Sequence, residues 1–247
     1  MTDHQRRLRI VNLNELKFYL YRSRAKVDWL YQQIESSHGK RTKLTWKIDL
    51  KVLSIGRESD RNNEATDEEK LKAVLSELEA QQLIGCFEDR KPYIKGIFPM
   101  RWGLYNDHGF RPESEGPLVY FSGLQDGLLL GLGGSSHHIV GNYGLTSTGS
   151  RSVTPALVQF LRSGLDGESQ RLCFYENRQD EISEVSEAMA LANDYLKGPI
   201  QNLEFVAKVL CRGEQRRLRP FSNSERGEVI LATPLYVAQI DPMFVDG

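Results

Sequence analysis

Cysteine and long apolar runs are both scarce in this sequence of 247 residues. The three cysteines, Cys86, Cys173 and Cys211, are too few and too widely spaced for a secreted disulfide scaffold or a paired-cysteine zinc site. No stretch reaches the roughly 18 apolar residues that a membrane-spanning helix needs, and the N-terminal residues contain no apolar run typical of a signal peptide. We therefore expect free thiols, a cytoplasmic location and no membrane contact.

The sequence also has no excess of positive charge, because its 32 Lys and Arg residues are balanced by 33 Asp and Glu residues and the formal net charge is −1. The composition therefore argues against nucleic-acid binding through a broad basic surface. One local basic cluster is present, and its members are Arg212, Arg216, Arg217 and Arg219. This cluster predicts either a contact with a phosphate or an acidic protein partner, or a solvated loop.

Apolar residues recur at strand or helix spacing in a defined order along the chain. This order indicates an α+β fold, in which helices pack on a mixed β-sheet. We expect a single domain at residues 15–241, preceded by a flexible basic arm at residues 1–14. The predicted strands are residues 17–21, 42–52, 94–98, 100–105, 118–121, 128–132, 139–140 and 229–238, and the predicted helices are residues 23–37, 66–84, 154–163, 181–197 and 200–210.

Short-range signals define several of these boundaries. Thr66 and Glu69 predict a capping box at the start of a helix, and Gly85 is placed to end that helix. The Gln125–Gly127 segment predicts a hairpin turn, because glycine readily adopts the positive φ that tight turns require. Pro234 predicts a bulge or an edge position in the last strand, since proline cannot donate a hydrogen bond to a neighbouring strand.

The most unusual segment of the chain is rich in glycine, serine and histidine and follows an apolar run. Its candidate ligand-binding residues are Gly133, Gly134, Ser135, Ser136 and His137, and either His137 or His138 is a candidate general base. Glycines allow a ligand to approach the backbone, and exposed amides with serine hydroxyls can hold an anion. The alternative interpretation is a glycine-rich strand end packed against another part of the chain.

Known phosphate and nucleophile motifs do not match this segment. Ser136 stands where a dinucleotide-binding fingerprint has its third glycine, and His137 stands where a nucleophile elbow has its last glycine. His137 and His138 are adjacent, so on an extended strand they would point to opposite faces and could not bind the same metal ion. We predict neither a metal site nor a cofactor.

A second candidate lies at the junction between the first strand and the first helix. Ser23 can cap the helix, and the helix amides together with Lys26 can attract an anion. A capped helix with tyrosines in the core is the alternative interpretation. We expect Ser23, Lys26 and Trp102 to line the same cleft as His137.

Four motifs in this chain resemble those of a bacterial protein family of unknown function. They are Tyr-Leu-Tyr-x-Ser-x-x-Lys-Val at Tyr19–Val27, Met-Arg-Trp-Gly at Met100–Gly103, Gly-Gly-Ser-x-His-His at Gly133–His138 and Thr-Pro-Leu-Tyr-Val-Ala at Thr233–Ala238. The resemblance covers most of the chain and implies a sensor or effector role in bacterial regulatory or defence systems. The basic N-terminal arm at Gln5–Arg9 departs from the family pattern and leaves the partner open.

Three functions follow from these observations. The first is a cytosolic sensor that binds a small anionic, nucleotide-like molecule through Gly131–His138, with Ser23 and Lys26 as charge partners. The second is a hydrolase or transferase in which His137 or His138 acts as general base. The third is a protein interaction module that uses the strands or the arginine cluster.

Overall fold

The computed structural model describes residues 17–38, 65–105, 118–141, 157, 161, 178–215 and 227–240. The chain divides into two compact units, one formed by residues up to Ser23 and from Ile84 onward, the other by Arg24–Leu83. In the described ranges no helix is long and apolar enough to cross a membrane. The predicted N-terminal arm, the predicted strand at 42–52 and Cys173 lie outside these ranges. Cys86 and Cys211 form no disulfide within the described residues. The single-domain organisation stays a prediction.

The Arg24–Leu83 unit contains helices α1 (Arg24–His38) and α2 (Asp67–Ala80), which pack against each other. Both helices were predicted, α1 from an apolar stripe that starts at Val27, which is buried, and α2 from its capping box. Two ion pairs join the helices, Arg24 Nε to Asp67 Oδ2 at 2.8 Å and Lys70 Nζ to Asp28 Oδ1 at 2.9 Å. The side chains of both pairs are partly exposed to solvent, and the pairs therefore contribute little to stability.

The end of α2 differs from the prediction. Gly85 does not end the helix, because it lies in a strand instead. The chain leaves the helix at Gln82, which takes a positive φ of 56°, and the amide of Leu83 donates to the carbonyl of Leu78 at 2.9 Å. Polar residues adopt this left-handed conformation at a modest cost, which that hydrogen bond helps to offset.

The capping box at the start of α2 is present with both of its hydrogen bonds. The Thr66 amide donates to Glu69 Oε2 at 2.7 Å, and the Glu69 amide donates to Thr66 Oγ1 at 3.3 Å. We expect Thr66→Ala to lower the free energy of unfolding by about 1 kcal/mol in urea denaturation, because the Glu69 amide loses its acceptor. Ser76→Ala, at an exposed position of the same helix, is the control and should cost less than about 0.5 kcal/mol.

The same box has a pH signature. Hydrogen bonds from the Thr66 backbone and then from its hydroxyl lower the pKa of Glu69. A carboxyl whose pKa is lowered on folding stabilises the protein above its unfolded pKa, and this contribution is lost as the pH falls through the folded pKa. The stability difference between wild type and Glu69→Gln should therefore shrink as the solution is acidified.

The other unit is built on one mixed sheet, so the predicted α+β class and mixed sheet are confirmed. Helix α3 and a 3₁₀ turn accompany this sheet. The bounds are β1 Phe18–Arg22, β2 Ile84–Gly85, β3 Tyr93–Tyr105, β4 Leu118–Gln125, β5 Leu128–Ser135, the 3₁₀ turn Ser136–His138, α3 Arg178–Tyr195, β6 Gln201–Gln215 and β7 Gly227–Gln239.

Five of the strands close into a barrel. The order is β3, β4, β5, β7 and β6, and β6 then pairs with the N-terminal part of β3. The pairings β5–β7 and β2–β3 are parallel and the others are antiparallel. Closure is possible because β3 changes partner along its length, pairing with β6 up to Met100 and with β4 from Arg101 onward.

Strand β6 corrects a sequence prediction. Residues 200–210 were predicted to be helical because Ile200, Leu203, Val206 and Leu210 recur at helical spacing. From Gln201 onward they instead form part of β6, in which Leu203, Phe205 and Ala207 alternate into the core. The segment satisfies both periodicities, and pairing with β3 and β7 on its two sides favours the strand.

The barrel separates two apolar clusters. Its interior is filled by alternating side chains of all five strands, as small barrels require, together with Tyr21 and Phe87. The second cluster covers the outer face of β4, β5 and β7 and includes side chains of α3. Leu157 and Leu161, which are helical and buried as predicted, also belong to it.

Two predicted local features of the sheet are confirmed. Asp126 and Gly127 both have positive φ, 50° and 77°, in the hairpin turn between β4 and β5. Pro234 lies at a bulge of β7 itself, where Leu235 is the extra residue opposite β6, between the stretch that pairs with β5 and the stretch that pairs with β1. Proline fits there because the ladder is interrupted on both sides.

Candidate functional site

The glycines of the predicted Gly/Ser/His segment lie in β5 and are buried. A Cβ atom on Gly133 would lie 2.5 Å from the methyl carbons of Leu157, and one on Gly134 would lie 2.4 Å from the Tyr21 hydroxyl oxygen. The space beside each glycine is thus filled by a side chain of the same protein. These contacts support the structural interpretation of both glycines.

Tyr21 is the point where the first strand meets the Gly/Ser/His segment. It bridges to Ile139, and the His138 ring packs edge-on against its ring at 5.9 Å. Burial raises the pKa of Tyr21, while the Ser23 hydroxyl and the Ser135 backbone are close enough to oppose that shift. Strand β1 and the Gly/Ser/His segment therefore meet in space within one compact unit.

Ser23 does not cap α1 as predicted. Its amide donates to the carbonyl of Leu235 at 2.8 Å, which continues the pairing of β1 with β7. Its hydroxyl is buried and, within the described part of the chain, has no hydrogen-bond partner of normal geometry. A strand-end role replaces the predicted helix cap.

The other predicted site residues are distributed over several places. Trp102 is half-buried and stacks on Phe121 at 5.9 Å, and Phe121 packs edge-on against Tyr21 at 6.2 Å. Ser136 is buried at the start of the 3₁₀ turn, and His137 is partly exposed within that turn. Lys26 belongs to α1, where burial lowers its pKa to about 8.

A distinct cleft lies at the opposite end of the barrel, with a volume of about 670 Å³. Volumes of this size are typical of small-molecule sites, and barrel mouths are one of their usual places. The described residues that line the cleft are mostly charged or glycine. They are Glu88, Arg90, Lys91, Val209, Arg212, Gly213, Gly227 and Glu228.

Strand register places two of these charges on the inner face of the barrel. Glu228 shares its face of β7 with Ile230, which belongs to the interior cluster. Arg212 pairs directly with Ile230, so it lies on that face too. A bulge between Val209 and Cys211 makes this possible, because without it Arg212 would face outward.

The guanidinium of Arg212 is held from two sides. Its Nη1 donates to the carbonyl of Asp89 at 2.7 Å, and its Nε lies 3.4 Å from Glu228 Oε1 in an ion pair. The third nitrogen, Nη2, is buried and has no hydrogen-bond partner among the described residues. The side chain is only 16% exposed, so the charge is fixed in position beside the cleft.

The loop between β2 and β3 supplies the facing wall of the cleft. Asp89 Oδ2 accepts a hydrogen bond from the Cys86 amide at 2.8 Å, which closes a tight turn. Phe87 anchors the loop in the barrel interior, with its ring 5.5 Å from that of Phe98. A Cβ on Gly85 would lie 2.5 Å from Asp89 Cβ, so glycine lets the loop fold back. Arg90 and Lys91 follow directly on this turn.

The sequence identified only part of this cleft. Arg212 was singled out in the arginine cluster, but it lies in β6 rather than in a solvated loop. Arg216, Arg217 and Arg219 lie outside the described residues. Glu228, Arg90 and Lys91 were missed, because no spacing relates them along the chain. A single charged residue at the start of an apolar strand, as at Glu228, is the one signal that was available.

Comparison with known proteins gives a family and no function. No curated protein and no solved structure matches the chain. Residues 17–241 match the model of a family of unknown function, DUF7019, and these residues contain both the barrel and the cleft. The chain therefore belongs to DUF7019.

Proposed function

We propose that the protein is a cytosolic ligand-binding protein that holds a small anionic molecule in the cleft at the mouth of the barrel. The observation that carries this proposal is the state of Arg212, whose guanidinium is held by Asp89 and Glu228 while Nη2 has no partner among the described residues. A buried donor without an acceptor costs free energy. An anion in the cleft would supply that acceptor after a small rotation of the guanidinium.

The lining of the cleft supports an anionic ligand. Three cationic side chains, Arg90, Lys91 and Arg212, outnumber the two carboxylates of Glu88 and Glu228. Because Arg212 is already fixed, little side-chain entropy is lost when it binds. Guanidinium groups suit phosphate and carboxylate oxygens in both geometry and charge.

The family resemblance extends this proposal to a biological role. A cleft that binds a small anion suits a sensor in a bacterial regulatory or defence system. The enzyme alternative, with His137 or His138 as general base, has less support because the neighbouring glycines are covered by Leu157 and Tyr21.

Substitution of Arg212 tests the proposal. We expect Arg212→Met to weaken the binding of inorganic phosphate by roughly 10-fold to 150-fold, the effect of losing a hydrogen bond to a charged group. Isothermal titration calorimetry at low ionic strength measures this change. Arg101→Met is the matched control, because Arg101 lies on β3 outside the cleft lining and bonds the carbonyl of Gly198 at 3.1 Å.

A second variant separates binding from folding. Arg90 is exposed at the cleft, so Arg90→Met should leave the thermal midpoint unchanged and weaken phosphate binding about 2-fold to 5-fold through the lost charge. If wild type binds no phosphate, or if both cleft variants bind it as well as Arg101→Met does, the proposal is wrong.

A further inference from the structure

We infer that the ligand of the cleft carries two phosphate groups, as a diphosphate or a bisphosphate does, and that Arg212 binds one of them while Arg90 and Lys91 bind the other. This inference rests on the proposed function and names the class of ligand. It follows from the size of the cleft, from its polar lining and from the arrangement of its three cations.

The cleft is larger than one simple anion requires. Its volume of about 670 Å³ lies in the range of pockets that enclose drug-sized molecules, so inorganic phosphate would fill only part of it. Such pockets are usually lined mainly by apolar and aromatic side chains. Here Val209 is the one apolar side chain among the described residues of the lining, and none of these residues is aromatic. The rest of the ligand is therefore expected to be polar or charged as well.

The loop that carries two of the cations is attached to the strand that carries the third. The Arg90–Lys91 segment lies between two residues whose carbonyl groups accept hydrogen bonds from β6. The carbonyl of Asp89 accepts from Arg212 Nη1 at 2.7 Å, and the carbonyl of Pro92 accepts from the Val209 amide at 2.9 Å. These two bonds fix the backbone positions of the three cations relative to one another.

The side chain of Lys91 is also positioned by its surroundings. Lys91 is partly buried, and its Cγ would lie 2.7 Å from a Cβ on Gly85, so its aliphatic stem lies over this glycine. The neighbouring Arg90 is exposed and can reach a ligand from the solvent side. Because the stem of Lys91 is already packed, less side-chain entropy is lost when its ammonium group binds an anion.

The charges of the lining suit two anionic groups better than one. Nη2 of Arg212 is buried and has no hydrogen-bond partner among the described residues, but Glu228 balances the charge of this arginine. The loop wall carries two cations and one carboxylate, that of Glu88, which is exposed and therefore screened by solvent. One phosphate group would satisfy Nη2, and a second would neutralise the remaining positive charge of Arg90 and Lys91.

A comparison of three ligands tests the inference. We would titrate inorganic phosphate, pyrophosphate and ethylene glycol bisphosphate into the full chain without divalent cations and measure the dissociation constants by calorimetry. We expect at least one of the two larger ligands to bind about 10-fold more tightly than inorganic phosphate, the effect of one more hydrogen bond to a charged group. The tighter of the two distinguishes a diphosphate from a bisphosphate.

Substitution of Lys91 tests whether the loop wall causes this preference. Methionine keeps an unbranched stem beside Gly85 and removes the charge, so in Lys91→Met the preference should fall below about 3-fold, whereas inorganic phosphate should weaken by at most about 5-fold. Arg90→Met, at an exposed position, is a second variant that should also lower the preference. Lys208→Met is the matched control, because it removes an exposed cation of β6 outside the cleft lining and should keep the preference.

The possible failures are distinct. If all three ligands bind the wild type equally well, this inference is overturned and the proposed function stands. A preference that survives in both Lys91→Met and Arg90→Met, or that falls as far in Lys208→Met, would also overturn the inference alone. Absence of binding for all three ligands would overturn both proposals.

Discussion

Lys17→Met should lower the free energy of unfolding by about 3 to 5 kcal/mol, because it leaves a buried carboxylate without its cation. Lys17 and Glu204 form an ion pair in which each side chain is 8% exposed. The Tyr236 hydroxyl also donates to Glu204, and Lys17 Nζ lies 5.1 Å from the centre of the Tyr236 ring. Lys17 directly precedes β1, so the group attaches this strand to β6 and β7.

A matched pair of charges provides the control. Lys70 also pairs with a carboxylate, that of Asp28, but these side chains are 25% and 41% exposed. Lys70→Met should therefore cost at most about 1 kcal/mol. The measurement is equilibrium urea denaturation of both variants at constant pH and salt. Equal costs for the two substitutions would contradict the burial of the Lys17–Glu204 pair.

A double variant distinguishes the effect of removing the whole ion pair from the effect of removing one of its charges. Lys17→Met combined with Glu204→Leu removes both charges and replaces them with apolar groups. A well-packed apolar pair is often about as stable as the buried ion pair it replaces. We expect the double variant to recover most of the stability lost in Lys17→Met. Tyr236→Phe alone should cost about 1 to 3 kcal/mol, because Glu204 loses a donor.

The elements predicted correctly from sequence have short-range causes. The capping box at Thr66, the turn at Asp126 and the bulge at Pro234 each depend on residues within a few positions of one another. Helix α1 likewise follows from its apolar stripe, and strand β1 follows from a short aromatic-rich run. A local pattern suffices where local hydrogen bonds or φ preferences decide the conformation.

The features missed from sequence have long-range causes. Strand β6 became a strand because residues near position 97 pair with it, and this pairing also closes the barrel. Arg212 faces the cleft because of a single bulge in β6, and no residue type in β6 predicts this bulge. The arginine cluster was conspicuous in the sequence, but the partners of its member Arg212, Asp89 and Glu228, come from another loop and another strand.

The glycines of β5 show the difference between short-range and long-range causes most clearly. Their spacing along the chain suggests a ligand site. In the structure, however, the space beside each of these glycines is filled by a side chain that is distant in sequence. Leu157, Tyr21 and Met189 approach β5 from three other parts of the chain. The same glycine-rich pattern can therefore form a ligand site or part of a packed core. Which of the two it forms depends on the side chain that packs against the glycines in the folded protein.

Gly133→Ala combined with Leu157→Ala tests that packing directly. Gly133→Ala alone should cost about 1 to 3 kcal/mol, because the new methyl group would lie 2.5 Å from the Leu157 methyl carbons. Leu157→Ala alone should cost about 2 to 5 kcal/mol, because Leu157 is fully buried and its loss leaves a cavity. In the double variant the new methyl occupies part of that cavity. Its cost should fall below the sum of the single costs by about 0.5 to 3 kcal/mol.

Gly131→Ala with Leu157→Ala is the matched control on the same strand face. A Cβ on Gly131 would meet Tyr120 and Met189 rather than Leu157, so these two substitutions should be close to additive. All variants are compared by urea denaturation and by titration with inorganic phosphate. If Gly133→Ala leaves the free energy of unfolding unchanged but abolishes phosphate binding, the Gly/Ser/His segment would be the phosphate site. If the effects of Gly133→Ala and Leu157→Ala on the free energy of unfolding are not additive and phosphate binding is intact, these glycines have a packing role in the core. Such coupling is expected only where the two residues pack against each other.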